Sequence, residues 1–197
     1  MSSLWPKPEM PLTGVPVFAG TVVGIDPSLT STGVAIIEWG KLSTFRLTTS
    51  LKGPARLDYF RGRFSDVLRQ FDPAMVVIEG YSYGSKFGLA GSGELGGVLK
   101  LALWDAKVAY GIAQPGTLKS FATGKGSADK EQVSKELFKR FGVDVDNNDK
   151  VDAAGLAVMA AWIAEPAPVG AVKLTKAQLD SLGKVERFSR ATGCKNA

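Results

Sequence analysis

The chain has 197 residues, 45% of them hydrophobic and 22% charged, the balance of a soluble globule with room for one domain and short appendages. It contains no histidine and one cysteine, Cys194. This excludes an intrachain disulfide and every His-based nucleophile scheme, and argues against zinc. The net charge of +5 is weak evidence for a nucleic-acid partner, because the tail beyond residue 165 carries six basic residues against two acidic ones and such a tail is more often a solvated end than a binding arm. No apolar run is long enough to span a bilayer. The opening MSSLWPKPEMPL lacks the basic-then-apolar pattern of a signal peptide, so the expectation is a cytoplasmic protein without membrane contact.

Residues 1–20 hold four prolines and read as an extended, poorly ordered lead-in. Thr21 to Asp26 is a run of small and β-branched residues suited to a strand buried on both faces, and Pro27 stops its pairing. Gly33 to Glu38 and Lys41 to Leu47 follow across the tight turn Trp39-Gly40, giving a three-strand antiparallel meander. Leu57, Phe60, Phe64, Val67, Leu68 and Phe71 recur at helical spacing and form a core-facing stripe, ended by Asp72-Pro73. Ala74 to Ile78 is a second buried strand and ends, like the first, in a carboxylate, Glu79.

The stretch GYSYGSKFGLAGSG follows. Its Tyr81, Tyr83, Lys86 and Phe87 are candidates to stack on bases and touch phosphates, evenly weighed against a loop whose aromatics fold back on the core. Glu94 to Tyr110 reads as a helix stopped by Gly111, and Ile112 to Gln114 as a short strand ended by Pro115. Thr117 caps a short helix holding Lys119, and Ser127 caps a longer one running to Gly142. From Asp149 an alanine-rich helix extends to about Ala164. A Pro-rich linker then leads to a final helix opened by Thr175, with Gln178 three residues on. The element order indicates α/β architecture with a mixed sheet. The boundaries expected are a lead-in over 1–20, one domain over 21–165, and a basic linker and helix over 166–197.

The chemistry lies in four acids. Asp26 and Glu79 each end a buried strand, where an ionised carboxylate is costly unless a metal ion, an N–H nest or an arginine pairs with it. Asp149 and Asp152, three apart, share one helix face. Asp26 alone reads equally well as a turn cap. Brought together in a partly dry site, four carboxylates cannot all stay ionised without cations. Two divalent ions, Mg²⁺ or Mn²⁺, would offset that charge and support phosphoryl transfer with no need for His or Cys.

These motifs resemble the RuvC family of Holliday-junction resolvases, within the RNase H-like nucleases. The family's opening G-I-D-P…T-G stands at Gly24 to Pro27 and Thr32-Gly33, and its I-E at Ile78-Glu79. Its G-x-G-S-A-x-K-x-Q-V stretch is matched at Gly124, Gly126, Ser127, Ala128, Lys130, Gln132 and Val133, and its D-x-x-D-A at Asp149, Asp152 and Ala153. The resemblance implies an RNase H-like fold and a metal-binding catalytic set of Asp26, Glu79, Asp149 and Asp152. It also implies phosphate contacts from Lys119 and Lys130, a homodimer, and symmetric nicking of four-way junctions with no nucleotide cofactor.

The sequence departs from the family at Ser28, which replaces a glycine, in the rebuilt loop after Glu79, and in the extension beyond Pro166. Phage-type members cut branched DNA more broadly. Two alternatives stand beside the resolvase: a catalytically silent binder of branched DNA, and another RNase H-like nuclease acting on RNA–DNA hybrids. An actin-like ATPase shares the strand–Asp–turn–strand opening but needs two such domains, and 197 residues hold one.

Overall fold

The computed structural model describes residues 5–17, 19–81, 89–165 and 172–189. Its centre is a seven-stranded sheet in the order β1-β4-β3-β2-β5-β6-β7. The strands are β1 (Met10–Pro11), β2 (Thr21–Asp26), β3 (Ser31–Glu38), β4 (Lys41–Thr48), β5 (Met75–Glu79), β6 (Tyr110–Ala113) and β7 (Glu186–Phe188). β2, β3 and β4 form the antiparallel meander, β5 and β6 run parallel to β2, and β7 is antiparallel to β6. The fold is α/β, a mixed sheet flanked by helices.

Side-chain parity divides the core into two layers, because successive residues of a strand point to opposite faces. Val23, Ile25, Val34, Ile36, Val76 and Ile78 pack against the helices α1 (Gly53–Phe71) and α2 (Leu89–Asp105). Val22, Ala35, Ile37, Met75 and Val77 face the other layer. That layer comprises α3 (Pro115–Thr123), α4 (Lys130–Phe141), α5 (Asn148–Ala164) and α6 (Lys176–Gly183). Asp26 and Glu79 share the parity of Val22 and Val77, so both strand-end carboxylates point to the α5 side. A one-residue register slip would turn them to the wrong face.

α5 lies on the sheet with almost no side chain between. A Cβ on Gly24 would fall inside the backbone of Ala153 and Ala157, and one on Gly33 inside the carbonyl of Asp149. These two glycines are required by close approach, and they let the first turns of α5 settle beside the end of β2. Ala153, Ala154, Leu156, Ala157 and Val158 are wholly buried, which explains why this helix carries alanines rather than an amphipathic stripe.

Several boundaries differ from those read in the sequence. α2 ends at Asp105 rather than Tyr110. Lys107 adopts a left-handed φ of 60° and turns the chain, which frees Tyr110 to pair with Val76 and to stack on Phe188 at 5.1 Å. α3 starts at Pro115 with Gln114 as its N-cap, so Thr117 is a buried first-turn residue and not the cap. α4 is capped by Asp129, whose side chain accepts from the Gln132 N–H in a capping box, and Ser127 lies upstream. The expected Thr175–Gln178 capping box opens α6.

Two short strands were not anticipated. β7 lies on β6, and Gly111 of β6 is seated under Val185. β1 pairs with β4, and beyond it Thr13 N–H donates to the Phe141 carbonyl at 3.0 Å.

Candidate active site

The parallel strands β2, β5 and β6 end side by side. β2 closes on Asp26 and β5 on Glu79, adjacent through the register Ile25 to Ile78. The turn after Asp26 is fixed from within. Thr32, 1% exposed, donates its hydroxyl to the Ser28 carbonyl at 2.8 Å and accepts from the Ser28 N–H at 3.1 Å. The turn thus closes through the Ser28 backbone, with a serine standing where a glycine was the expected residue.

The second pair of acids arrives on α5. Asn147 caps the helix by accepting from the Asp149 N–H at 3.0 Å, which sets Asp149 in the first turn and Asp152 one turn on. Asp149 and Asp152 both act electrostatically on Asp26, and Asp152 also on Glu79, so the four acids meet at one end of the sheet. Ser31 donates to Asp149 Oδ2 at 2.8 Å. Sequence reasoning did not single out this serine, since a serine in a polar turn carries no sign of a partner 118 positions away.

Burial governs the electrostatics. Asp26 and Glu79 share a hydrogen bond. Desolvation first, then the charge of Asp26, raises the Glu79 carboxyl to about 9. Asp26 rises to about 6, again chiefly by burial and then by Asp152. Burial also raises Asp152, opposed by the ammonium groups of Lys130 and Lys119. Lys130 Nζ is 3.8 Å from Asp152 Oδ2 with its own side chain 61% exposed. Both lysines singled out in the sequence thus stand beside the acids.

Among the described residues, no three acids close to the spacing of a finished metal cage. The donor set nevertheless fits a hard divalent cation. It is all oxygen and partly dry, and burial together with neighbouring carboxylates raises Asp26 and Glu79, which is the condition a cation relieves.

Carboxyls held protonated only in the folded state make stability depend on pH. Between their ordinary range and their raised values, the unfolded chain binds fewer protons than the folded one, so stability falls as pH rises. The metal-free protein should therefore lose several degrees of melting temperature between about pH 5 and about pH 9, through the raised titrations of Asp26 and Glu79. Saturating Mg²⁺ or Mn²⁺ should remove most of that slope. Differential scanning fluorimetry across this range, with and without metal, checks it, and a flat metal-free profile would contradict it.

The 81–87 stretch divides. Tyr81 is folded back on α2: its hydroxyl donates to the Gly93 carbonyl at 3.1 Å, and Lys100 Nζ lies 5.1 Å from its ring centroid. Tyr83, Lys86 and Phe87 lie outside the described residues.

The sheet order, with acids ending two adjacent parallel strands and two more supplied by a helix laid across them, places the protein among the RNase H-like nucleases. The family model for "Crossover junction endodeoxyribonuclease RuvC" matches residues 22–161, and the chain belongs to the RuvC family. The RuvC of Mycobacterium tuberculosis is 29% identical over 152 residues, covering 72% of this chain and 81% of that one. The RuvC of Cutibacterium acnes is 26% identical over the same length, covering 72% and 78%. Thermus thermophilus RuvC, solved in complex with a Holliday junction substrate, superposes with a TM-score of 0.63 at 26% identity, covering 75% of this chain and 96% of that one. The yeast mitochondrial Holliday junction resolvase, at 17% identity and a TM-score of 0.52, shares the fold. Nucleases of the RuvC family are metal-dependent.

Proposed function

We propose that this protein is a structure-specific endodeoxyribonuclease that nicks four-way DNA junctions by metal-dependent hydrolysis of a phosphodiester. The observation that carries the reading is the meeting of Asp26, Glu79, Asp149 and Asp152 at one end of the sheet, with Lys119 and Lys130 beside them. Membership of the RuvC family and the likeness to a resolvase solved on its junction support it.

The four carboxylates would hold the metal, which we take to be two Mg²⁺ or Mn²⁺ ions. Such ions activate water for in-line attack and stabilise the leaving 3′ oxygen. The chain's own groups do the rest. Ser31 donates to Asp149 Oδ2 and so orients that carboxylate. Lys130 and Lys119 balance Asp152 in the free protein and turn to backbone phosphates when DNA arrives. Symmetric paired nicks need two such centres, so the reading includes a homodimer. Genetic recombination and repair are the settings in which such junctions arise.

Wild-type protein with Mg²⁺ should cut an end-labelled four-way junction in preference to a linear duplex, a flap and an RNA–DNA hybrid of the same sequence. Equal cutting of flaps and junctions would make it a broader branch nuclease. Preference for the hybrid would overturn the resolvase reading. Tight junction binding without cleavage in any metal would favour a silent binder.

The phosphate role of Lys130 has its own test. Lys130→Ala should weaken junction binding and reduce the slope of log K against log salt by about one, the share of a single phosphate contact. Binding measured at three or more salt concentrations checks this. An unchanged slope would mean Lys130 touches no phosphate and serves only Asp152.

A further inference from the structure

Asp26, Gly33 and Arg46 are register partners on three adjacent strands. They form a row across β2, β3 and β4, and directly paired residues share a face of the sheet. Gly33 faces α5, since a Cβ there would fall inside the Asp149 carbonyl. Arg46 therefore lies on the α5 face with the acids, and the residue between it and Asp26 has no side chain. At roughly 4.8 Å per strand, the Cα of Arg46 stands about 10 Å from that of Asp26. Arg46 is exposed.

A second cation comes from α5. Lys150 follows Asp149 in the first turn, and its Nζ donates to Asp146 Oδ1 at 3.0 Å. Asp146 lies just before the helix with its side chain 83% exposed. The hydrogen bond from Lys150, then its charge and, more weakly, that of Arg46, hold the Asp146 carboxyl below its ordinary range. Arg46 and Lys150 thus stand around one exposed carboxylate. Such a pair in water adds little stability, so its upkeep is a poor reason for two cations here. Lys119 approaches the acids from the other side, because α3 follows directly on β6, which lies across β2 from β4. The acid cluster therefore has cations on both flanks.

We propose that Arg46 and Lys150 bind the DNA backbone on the β4 side of the cleaved phosphate, and that Asp146 occupies them until DNA arrives. The proposal rests on the nuclease reading for the position of that phosphate. One strand advances roughly 3.4 Å per nucleotide, so a separation of about 10 Å puts the contact within about three nucleotides of the cut. The planar fork of Arg46 suits two phosphate oxygens, and Lys150 adds a point charge. An acid cluster repels a phosphate backbone, and cations on both flanks let the strand lie across it. Lys150 fills an unspecified place in the D-x-x-D-A pattern, and Arg46 lies outside all four motifs. The contact is thus separate from the motifs that carry the cleavage chemistry.

The test measures binding of a fluorescent four-way junction in EDTA at several salt concentrations. Arg46→Ala should weaken binding by about tenfold and lower the slope of log K against log salt by about one. Combined with Lys150→Ala, the slope should fall by about two. Asp146→Asn should tighten binding severalfold, because it releases both cations. Arg46 and Asp146 are exposed, so both single variants should keep the wild-type melting temperature. An unchanged slope in Arg46→Ala, or weaker binding in Asp146→Asn, overturns the proposal.

Phosphate ethylation interference on the same junction locates the contact. Arg46→Ala should erase interference at phosphates on one side of the crossover, and Lys130→Ala on the other. Loss at the same phosphates in both variants overturns the flanking arrangement. The binding arm also separates this failure from that of the nuclease reading. A wild type that nicks no junction in any metal counts against the nuclease reading, while the salt slopes still decide for or against the Arg46 and Lys150 contact.

Discussion

Asp26→Asn is expected to abolish nicking, by about three orders of magnitude or more, while junction binding persists. The size follows from the position of the side chain. Asp26 is the meeting point of the cluster, hydrogen-bonded to Glu79 and under the charges of Asp152 and Asp149. An amide there would take an anionic oxygen from the proposed metal site, and metal stabilisation of a phosphoryl transition state amounts to several kcal/mol. Binding should survive because the amide is isosteric and the lysines are untouched.

The same substitution should raise the melting temperature of the metal-free protein at about pH 8. It relieves a buried carboxylate cluster that is costly without a cation. Gel shift, nicking and thermal melts on one preparation check all three parts. Nicking retained within tenfold would remove Asp26 from the metal site. A large drop in melting temperature would mean that its role is structural.

Gly33→Ala should be among the most damaging small changes available. The new methyl would sit in the Asp149 carbonyl, which belongs to helix backbone and cannot rotate away. α5 must lift from the sheet, and overpacking of this kind costs about 1–3 kcal/mol or more. Since α5 carries Asp149 and Asp152, activity should fall further than stability does, and excess metal should recover only part of it. Gly97→Ala is the matched control. Gly97 is exposed with nothing within 4 Å of its added Cβ, so alanine should stabilise α2 by about 0.5–1 kcal/mol. Equal melting temperatures for the two variants would contradict the close approach of α5.

These two glycine positions also show what could be read in the chain and what could not. The strand β2 with its closing Asp26, and the second buried strand closed by Glu79, were visible, because small and β-branched runs ended by an acid leave a local mark. Asp149 and Asp152 were visible as a pair on one helix face. The need for glycine at Gly33 was not, because it depends on how closely a helix 116 positions away approaches. Ser31 escaped notice for the same reason.

The short edge strands β1 and β7 escaped for another. At two and three residues they have no periodicity of their own and exist through their partners β4 and β6. The end of α2 was misplaced because Lys107, an ordinary helix former, takes the left-handed position of a helix C-cap, closed by Val108 N–H on the Leu103 carbonyl, where glycine is usual. Tyr81 was weighed evenly between a DNA-facing and a core-facing role. Its hydrogen bond to Gly93 and its place under Lys100 give it a fixed seat against α2.

The pH slope and the activity rest on one physical statement: Asp26 and Glu79 are buried carboxyls, raised first by desolvation and then by neighbouring acids, and a bound cation would relieve them. The most direct test is an end-labelled four-way junction incubated with the protein in Mg²⁺, in Mn²⁺ and in EDTA, with Asp26→Asn alongside. The account predicts paired nicks at symmetric positions across the junction in either metal, none in EDTA, and none from the variant. Nicks that persist in EDTA, or that Asp26→Asn makes as well as wild type, would contradict it.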